Sequence, residues 1–123
     1  MSGLKFLLDT NIVIGVLSRN EAVNSLLMIK QVSIMQCAFS AITRMELLSY
    51  HGLKEADKET IALLLNRMVY LPITSAIEDA TIVFRQKHKG KLPDAIIAAT
   101  AAHHQLELLT LDAALAHKLM TDN

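Results

Sequence analysis

Lys5-Phe6-Leu7-Leu8-Asp9-Thr10-Asn11 is the stretch on which the reading of this chain turns. Four residues dominated by large apolar side chains are too short for a helix and read as a buried strand. An acid follows with no polar padding, and Asn11–Ser18 then continues with apolar residues at helical spacing until Arg19-Asn20 interrupts it. A short apolar strand running straight into a helix is the unit from which parallel sheets are built.

The same alternation continues along the chain. Glu21–Gln31 reads as a helix and Met35–Ser40 contains a second strand. Thr43–Tyr50 reads as a helix closed near Gly52, and Glu55–Met68 as an amphipathic helix with Ile61, Leu64, Leu65 and Met68 on one face. Val69-Tyr70-Leu71-Pro72-Ile73 is a third strand, and Ser75 with Glu78 forms a capping-box signal for a helix through Lys87. Asp94–Gln105 is an alanine-rich helix in which Ala95, Ala98, Ala99 and Ala102 would permit close approach to the sheet. Leu106–Thr110 is the last strand, and a helix follows from Asp112 to Met120. The expected fold is α/β: one domain over residues 1–123, with a parallel sheet of four to five strands covered by helices on both faces.

Composition narrows the class. Apolar residues make up 52% of 123, with only four Gly and two Pro, which suits a compact domain with short loops. The single cysteine, Cys37, excludes an intrachain disulfide and reads as a buried thiol in a reducing compartment. No apolar run approaches the ~18 residues of a membrane span, and the acid at position 9 comes too early for a signal peptide. A cytoplasmic protein without a membrane is expected. Twelve basic and twelve acidic residues cancel, which argues against gripping long duplexes through many phosphates but not against holding a few.

In a parallel sheet, ligands collect beyond the carboxyl ends of the strands. Four acids fall at such junctions: Asp9 after the first strand, Glu46 in the first turn of the helix after the second, Asp94 at the head of the alanine-rich helix, and Asp112 past the last strand. Each alone has a plain reading as a helix-start residue, since acids favour helix N-termini. Thr43-x-x-Glu46 is itself a capping-box pattern, and Thr110 or Asp112 could cap the last helix. As a set they say more. Two carboxylates ~4 Å apart repel by about 4 kcal/mol at an effective dielectric near 20. A cation or protonation must offset that. Oxygen-rich sites suit Mg²⁺ or Mn²⁺, ions that neutralise a phosphodiester and acidify water.

The quoted stretches resemble the PIN-domain family, and within it the VapC-like ribonuclease toxins of toxin–antitoxin pairs. Phe6–Asn11 resembles the first motif and Ser40–Leu48 the second. Leu92-Pro93-Asp94-Ala95-Ile96-Ile97-Ala98-Ala99-Thr100-Ala101 resembles the third, and Leu108–Asp112 the fourth. The resemblance implies a divalent-metal-dependent endoribonuclease in which Asp9, Glu46, Asp94 and Asp112 are the catalytic and metal-binding acids. It implies that Thr10, Asn11, Ser40 and Thr110 orient those carboxylates or a water. It also implies an RNA substrate, a homodimer, and an antitoxin whose tail blocks the cleft. Many relatives carry a further acid and an aromatic after the fourth motif, where this chain has Ala113-Ala114-Leu115-Ala116.

Arg85, Lys87, Lys89 and Lys91 put four positive charges just ahead of Asp94. They read either as a solvated helix end or as contacts to RNA phosphates at the cleft rim. Three other functions are weighed. A phosphatase of the haloacid-dehalogenase type wants a second Asp where Asn11 stands, and a receiver domain wants an acceptor Asp after the third strand, where Tyr70–Thr74 has none. A PIN-like binding module without catalysis would have no need of all three core acids.

Overall fold

Strand β1, Phe6–Leu8, is wholly buried and supplies both faces of a sheet. Phe6 and Leu8 join one apolar cluster and Leu7 joins another, as alternate residues of a strand must. A computed structural model describes residues 3–121, so residues 1–2 and 122–123 of the expected domain lie outside the described part. The elements that follow are α1 (Thr10–Leu17), α2 (Glu21–Ile29), a 3₁₀ turn (Ile34–Gln36), β2 (Cys37–Ser40), α3 (Ala41–Leu48) and α4 (Glu55–Leu65). Then come β3 (Val69–Leu71), α5 (Ser75–Lys87), α6 (Leu92–His103), β4 (Glu107–Leu109) and α7 (Ala113–Thr121).

The four strands pair in the order β3-β2-β1-β4, all parallel. On one face Phe6, Leu8, Phe39 and Leu109 pack against Ile12 of α1, Val23 of α2, Leu47 of α3 and Ile61 of α4. On the other, Leu7, Ala38 and Leu71 meet Ile97 and Ala101 of α6. A third cluster joins Phe84 of α5 to Ala95 and Ala98 of α6 and Leu115 of α7. The α/β sandwich expected from the pattern is therefore the observed one, at the lower strand count.

Boundaries moved for local reasons. Helix α5 is capped by Thr74, whose hydroxyl accepts from the Ile77 N–H at 3.3 Å, so the Ser75–Glu78 box is not the cap. Helix α3 starts two residues earlier than expected, because Ser40 caps it and accepts from the Thr43 N–H at 3.3 Å. The Thr43–Glu46 capping box is thereby excluded, and Glu46 sits in the second turn. Strand β3 stops at Leu71, ahead of Pro72, which has no N–H to continue a ladder. In α6 the buried alanines are Ala95, Ala98, Ala99 and Ala101, while Ala102 faces out.

Helices α1, α2 and α6 end in the same manner. Arg19, Gln31 and Gln105 adopt left-handed backbone, with φ of 56°, 54° and 58°. The next N–H in each case returns to a carbonyl five residues back: Asn20 to Gly15, Val32 to Leu27, Leu106 to Ala101. These are Schellman ends built without glycine.

Gly15 is where α1 touches α2. A Cβ there would stand 2.3 Å from Val23 Cγ2 and 2.8 Å from Val23 Cβ. Valine is stiff at χ1 and cannot swing away. Overpacking of this kind costs about 1–3 kcal/mol, against about 1 kcal/mol that Ala gains over Gly in a helix. Gly15→Ala is expected to lower stability in urea unfolding, and Val23→Ala in the same chain to return part of the loss. A Gly15→Ala protein as stable as wild type would contradict the close α1–α2 packing.

Cys37 follows the sequence expectation. It is buried at 1% exposure, its thiol donates to the Ser33 carbonyl at 3.4 Å, and burial pushes its pKa up to about 11. Almost no thiolate exists near neutrality, so its reaction with a disulfide reagent is expected to be negligible in the folded protein and fast in denaturant. Rapid labelling without denaturant would refute this packing.

Candidate active site

The carboxyl ends of β1, β2 and β4 lie side by side, and the acids that follow them are tied together by two threonine hydroxyls. Asp9 is the N-cap of α1 and is only 6% exposed. Its Oδ1 accepts from the Thr10 N–H at 2.8 Å and its Oδ2 from the Thr110 hydroxyl at 2.6 Å. Thr110 in turn accepts the Asp112 N–H at 3.0 Å, so one hydroxyl joins the acid after β1 to the acid after β4.

Thr10 does the same for the second motif. Its hydroxyl donates to Glu46 Oε1 at 2.6 Å, bringing the side chain on α3 to the head of α1. Asp112 also caps α7, its Oδ1 accepting from the Leu115 N–H at 3.1 Å, so the plain reading of this acid as a helix-start residue describes a contact it makes. Among the described residues Asn11 makes no hydrogen bond to a carboxylate: its Oδ1 accepts from the Leu111 N–H at 3.2 Å and anchors the loop between β4 and α7. Ser40 is spent on capping α3.

Asp94, on the first turn of α6, closes the set electrostatically. Its carboxyl pKa is raised above the ordinary value, first by burial and then by the negative charges of Asp9 and Asp112, with Lys91 and Lys118 opposing. The Asp94 carboxyl thus feels the charge of the acid after β1 and of the acid after β4. Among the described residues no three acid, imidazole or thiol side chains converge closely enough to hold a metal ion as they stand. The chemistry of the donors nevertheless fits a hard divalent cation: all are carboxylates, Asp94 is repelled by Asp9 and Asp112, and at Asp94 only two lysines oppose them.

The basic run divides. Lys91, the N-cap residue of α6, is in electrostatic reach of Asp94. Arg85 and Lys89 line a separate groove of about 620 Å³ with His88 and Leu92, and Lys87 lies exposed at the end of α5. Lys118, which no motif singled out, donates to the Lys89 carbonyl and so straps the loop before α6 to α7. Thr43 was the other omission, because its pattern with Glu46 reads as a cap. A larger groove, about 710 Å³, runs along the outer edge of β4 and meets the acids only at Thr110.

An α/β protein of this topology belongs to the class whose ligands bind beyond the carboxyl ends of parallel strands, which is where these carboxylates gather. Within that class, the model of the PIN domain matches residues 6–118, and the chain belongs to the PIN-domain family. Among solved structures it is similar to a chain of a toxin–antitoxin complex from Klebsiella pneumoniae. The two are 34% identical over 86% of this chain and 85% of that one, with a TM-score of 0.74. It shares its fold with a chain of VapBC2 from Rickettsia felis, solved bound to a fragment of promoter DNA. There the identity is 18% over 93% and 92% of the two chains, with a TM-score of 0.74. It also shares its fold with a chain of FitAcB from Neisseria gonorrhoeae, at 24% identity over 94% and 93%, with a TM-score of 0.68. No curated protein sequence matches significantly. The family match and these neighbours bear out the resemblance that the four motifs carry. PIN domains are as a family nucleases.

Proposed function

We propose that this protein is a divalent-metal-dependent endoribonuclease, the toxin of a VapBC-type pair, acting on RNA in the cytoplasm. The observation that carries the reading is that Asp94 lies within electrostatic reach of Asp9 and Asp112, with Asp9 held by Thr110 and Glu46 by Thr10. Asp9 and Asp94 would hold the principal ion, Mg²⁺ or Mn²⁺, with Glu46 and Asp112 in support. When bound, that ion supplies Lewis acidity toward the phosphodiester and its water.

The chain's own residues do the rest. Thr110 fixes the rotamer of Asp9 and Thr10 that of Glu46, so neither carboxylate has to be ordered as substrate arrives. Glu46 is placed to orient a water for attack. Lys91 offers positive charge beside Asp94, where a scissile phosphate would sit, while Arg85, Lys87 and Lys89 extend that charge along the rim for flanking phosphates. Among the described residues no single helix is long and apolar enough to cross a membrane, which is compatible with this setting.

A homodimer belongs to the same reading. Helix α2 exposes Met28 and Ile29, and α4 exposes Leu63, at 70–80% each, apolar surface of the kind a second copy would cover. Light scattering at micromolar concentration is expected to give twice the chain mass, and a monomeric mass would remove the dimer from the account.

The test of function is cleavage of a panel of structured RNAs. Cutting is expected with Mg²⁺ or Mn²⁺, none after chelation, and recovery on adding either ion back. Cutting that survives chelation would overturn the metal-dependent mechanism.

A further inference from the structure

Thr43 on α3 is completely buried, yet its hydroxyl takes no part in capping its helix, a task that falls to Ser40. Its Oγ1 lies 3.0 Å from Oγ1 of Thr10, which lies 2.6 Å from Glu46 Oε1. A hydroxyl has one proton, and an ionised carboxylate can only accept. The Thr10 proton is therefore committed to Glu46. The contact between the two threonines is then a hydrogen bond only if Thr43 donates. The result is a directional chain, Thr43 to Thr10 to Glu46, running from the core outward to an acid on the surface.

Each link has a physical consequence. Donation into the Thr10 oxygen polarises that hydroxyl and strengthens its own donation. It also fixes the Thr10 rotor, which would otherwise be free to turn its proton away from Glu46. Glu46 is a long side chain on an exposed helix turn, and the Thr10 bond selects one of its rotamers. Its Oε2 is left without a hydrogen-bond partner among the described residues, available to a water or a cation.

We propose that Thr43 is a positioning residue that acts through Thr10 to fix the orientation of the Glu46 carboxylate. This role rests on the reading of the cleft as a nuclease site. Thr43→Val keeps the β-branched shape and removes the donor, whereas Thr43→Ser keeps the donor. With the full chain, Mg²⁺ and a cleaved RNA, Thr43→Val is expected to lower kcat by roughly 10- to 100-fold, the usual range for a residue supporting a metal-site carboxylate, with KM little changed. Thr43→Ser is expected to restore most of the rate. In a Glu46→Ala background Thr43→Val is expected to cost no further rate, and a double-mutant cycle on the melting temperature of the metal-free protein is expected to show the two positions coupled.

Wild-type kcat in a folded Thr43→Val protein would overturn the proposal. So would an equal further loss in the Glu46→Ala background, since Thr43 would then act by packing alone. Should Thr43→Val fail to fold, Thr43→Ala enters the same cycle with the same expectations. Should the wild type cut no RNA at all, the nuclease reading fails, and the stability cycle still decides the link: coupling upholds the Thr43–Glu46 chain and strict additivity overturns it.

Discussion

Asp94→Asn is expected to abolish RNA cleavage while raising the melting temperature at neutral pH. The substitution keeps shape and removes a charge that the folded protein bears at a cost, since burial, Asp9 and Asp112 all raise the carboxyl's pKa. On the proposed mechanism, loss of a charge that would hold the cation removes several kcal/mol of stabilisation, a fall of at least about 100-fold in rate. The stability effect has a definite pH dependence. Because the folded chain takes up this proton more readily than the unfolded one, stability from the group is fully present below the ordinary carboxylate pKa of about 4 and is lost as pH rises through the raised value. Asn suffers no such loss. The gain in melting temperature is therefore expected to be a few degrees near neutrality, to shrink as pH falls through the raised pKa, and to vanish below about pH 4. Thermal melts from acid to neutral pH check this, and a variant that is less stable than wild type at pH 7 would contradict the electrostatic description of the cleft.

Asp9→Asn is expected to be equally inactive but to lose stability, the opposite sign. Both oxygens of Asp9 accept hydrogen bonds, one from the Thr10 N–H and one from the Thr110 hydroxyl. An amide retains one acceptor and replaces the other with a donor, so either the helix cap or the Thr110 contact must be rebuilt. Loss of one charge-assisted bond to a buried acid is worth about 1.5–3 kcal/mol, more than relief of repulsion from Asp94 and Asp112 returns across a partly solvated cleft. Isosteric neutralisation of the two aspartates thus separates a residue that stores repulsion from one that also holds the loop after β4. Urea unfolding of the two variants beside wild type measures it. A rise in stability for Asp9→Asn would show that repulsion outweighs its hydrogen bonds.

The architecture was legible because its strands are uninterrupted apolar runs set between helices: Phe6-Leu7-Leu8 and Cys37-Ala38-Phe39 admit little else. Helix ends were less so. Gln31 and Gln105 enter left-handed backbone with no glycine to announce it, and the ends of their helices read two residues too far along the chain. At Ser40 and Thr43, and again at Thr74 and Ser75, two hydroxyls competed for one cap, and local sequence does not say which will win. Asp9, Asp94 and Asp112 stood out because each follows a strand or opens a helix, whereas Glu46 lies a turn further into α3 than its pattern with Thr43 suggests. What hid was their wiring. That the Thr10 hydroxyl serves Glu46 rather than its neighbour Asp9, and that Thr110 serves Asp9 from the far end of the chain, are consequences of sheet order, which places β1 between β2 and β4. Asn11, expected to orient a carboxylate or a water, holds the Leu111 N–H, which the same strand order brings within its reach.

The central claim is that the cleft of Asp9, Glu46, Asp94 and Asp112 cuts RNA with the help of a divalent ion. Its most direct measurement is the single-turnover rate of cleavage of one structured RNA, by wild type and by folded Asp94→Asn, each with Mg²⁺ and after chelation. The account predicts a rate for wild type with Mg²⁺ alone, and at least about 100-fold less in the other three reactions. Cleavage by Asp94→Asn at the wild-type rate would contradict it.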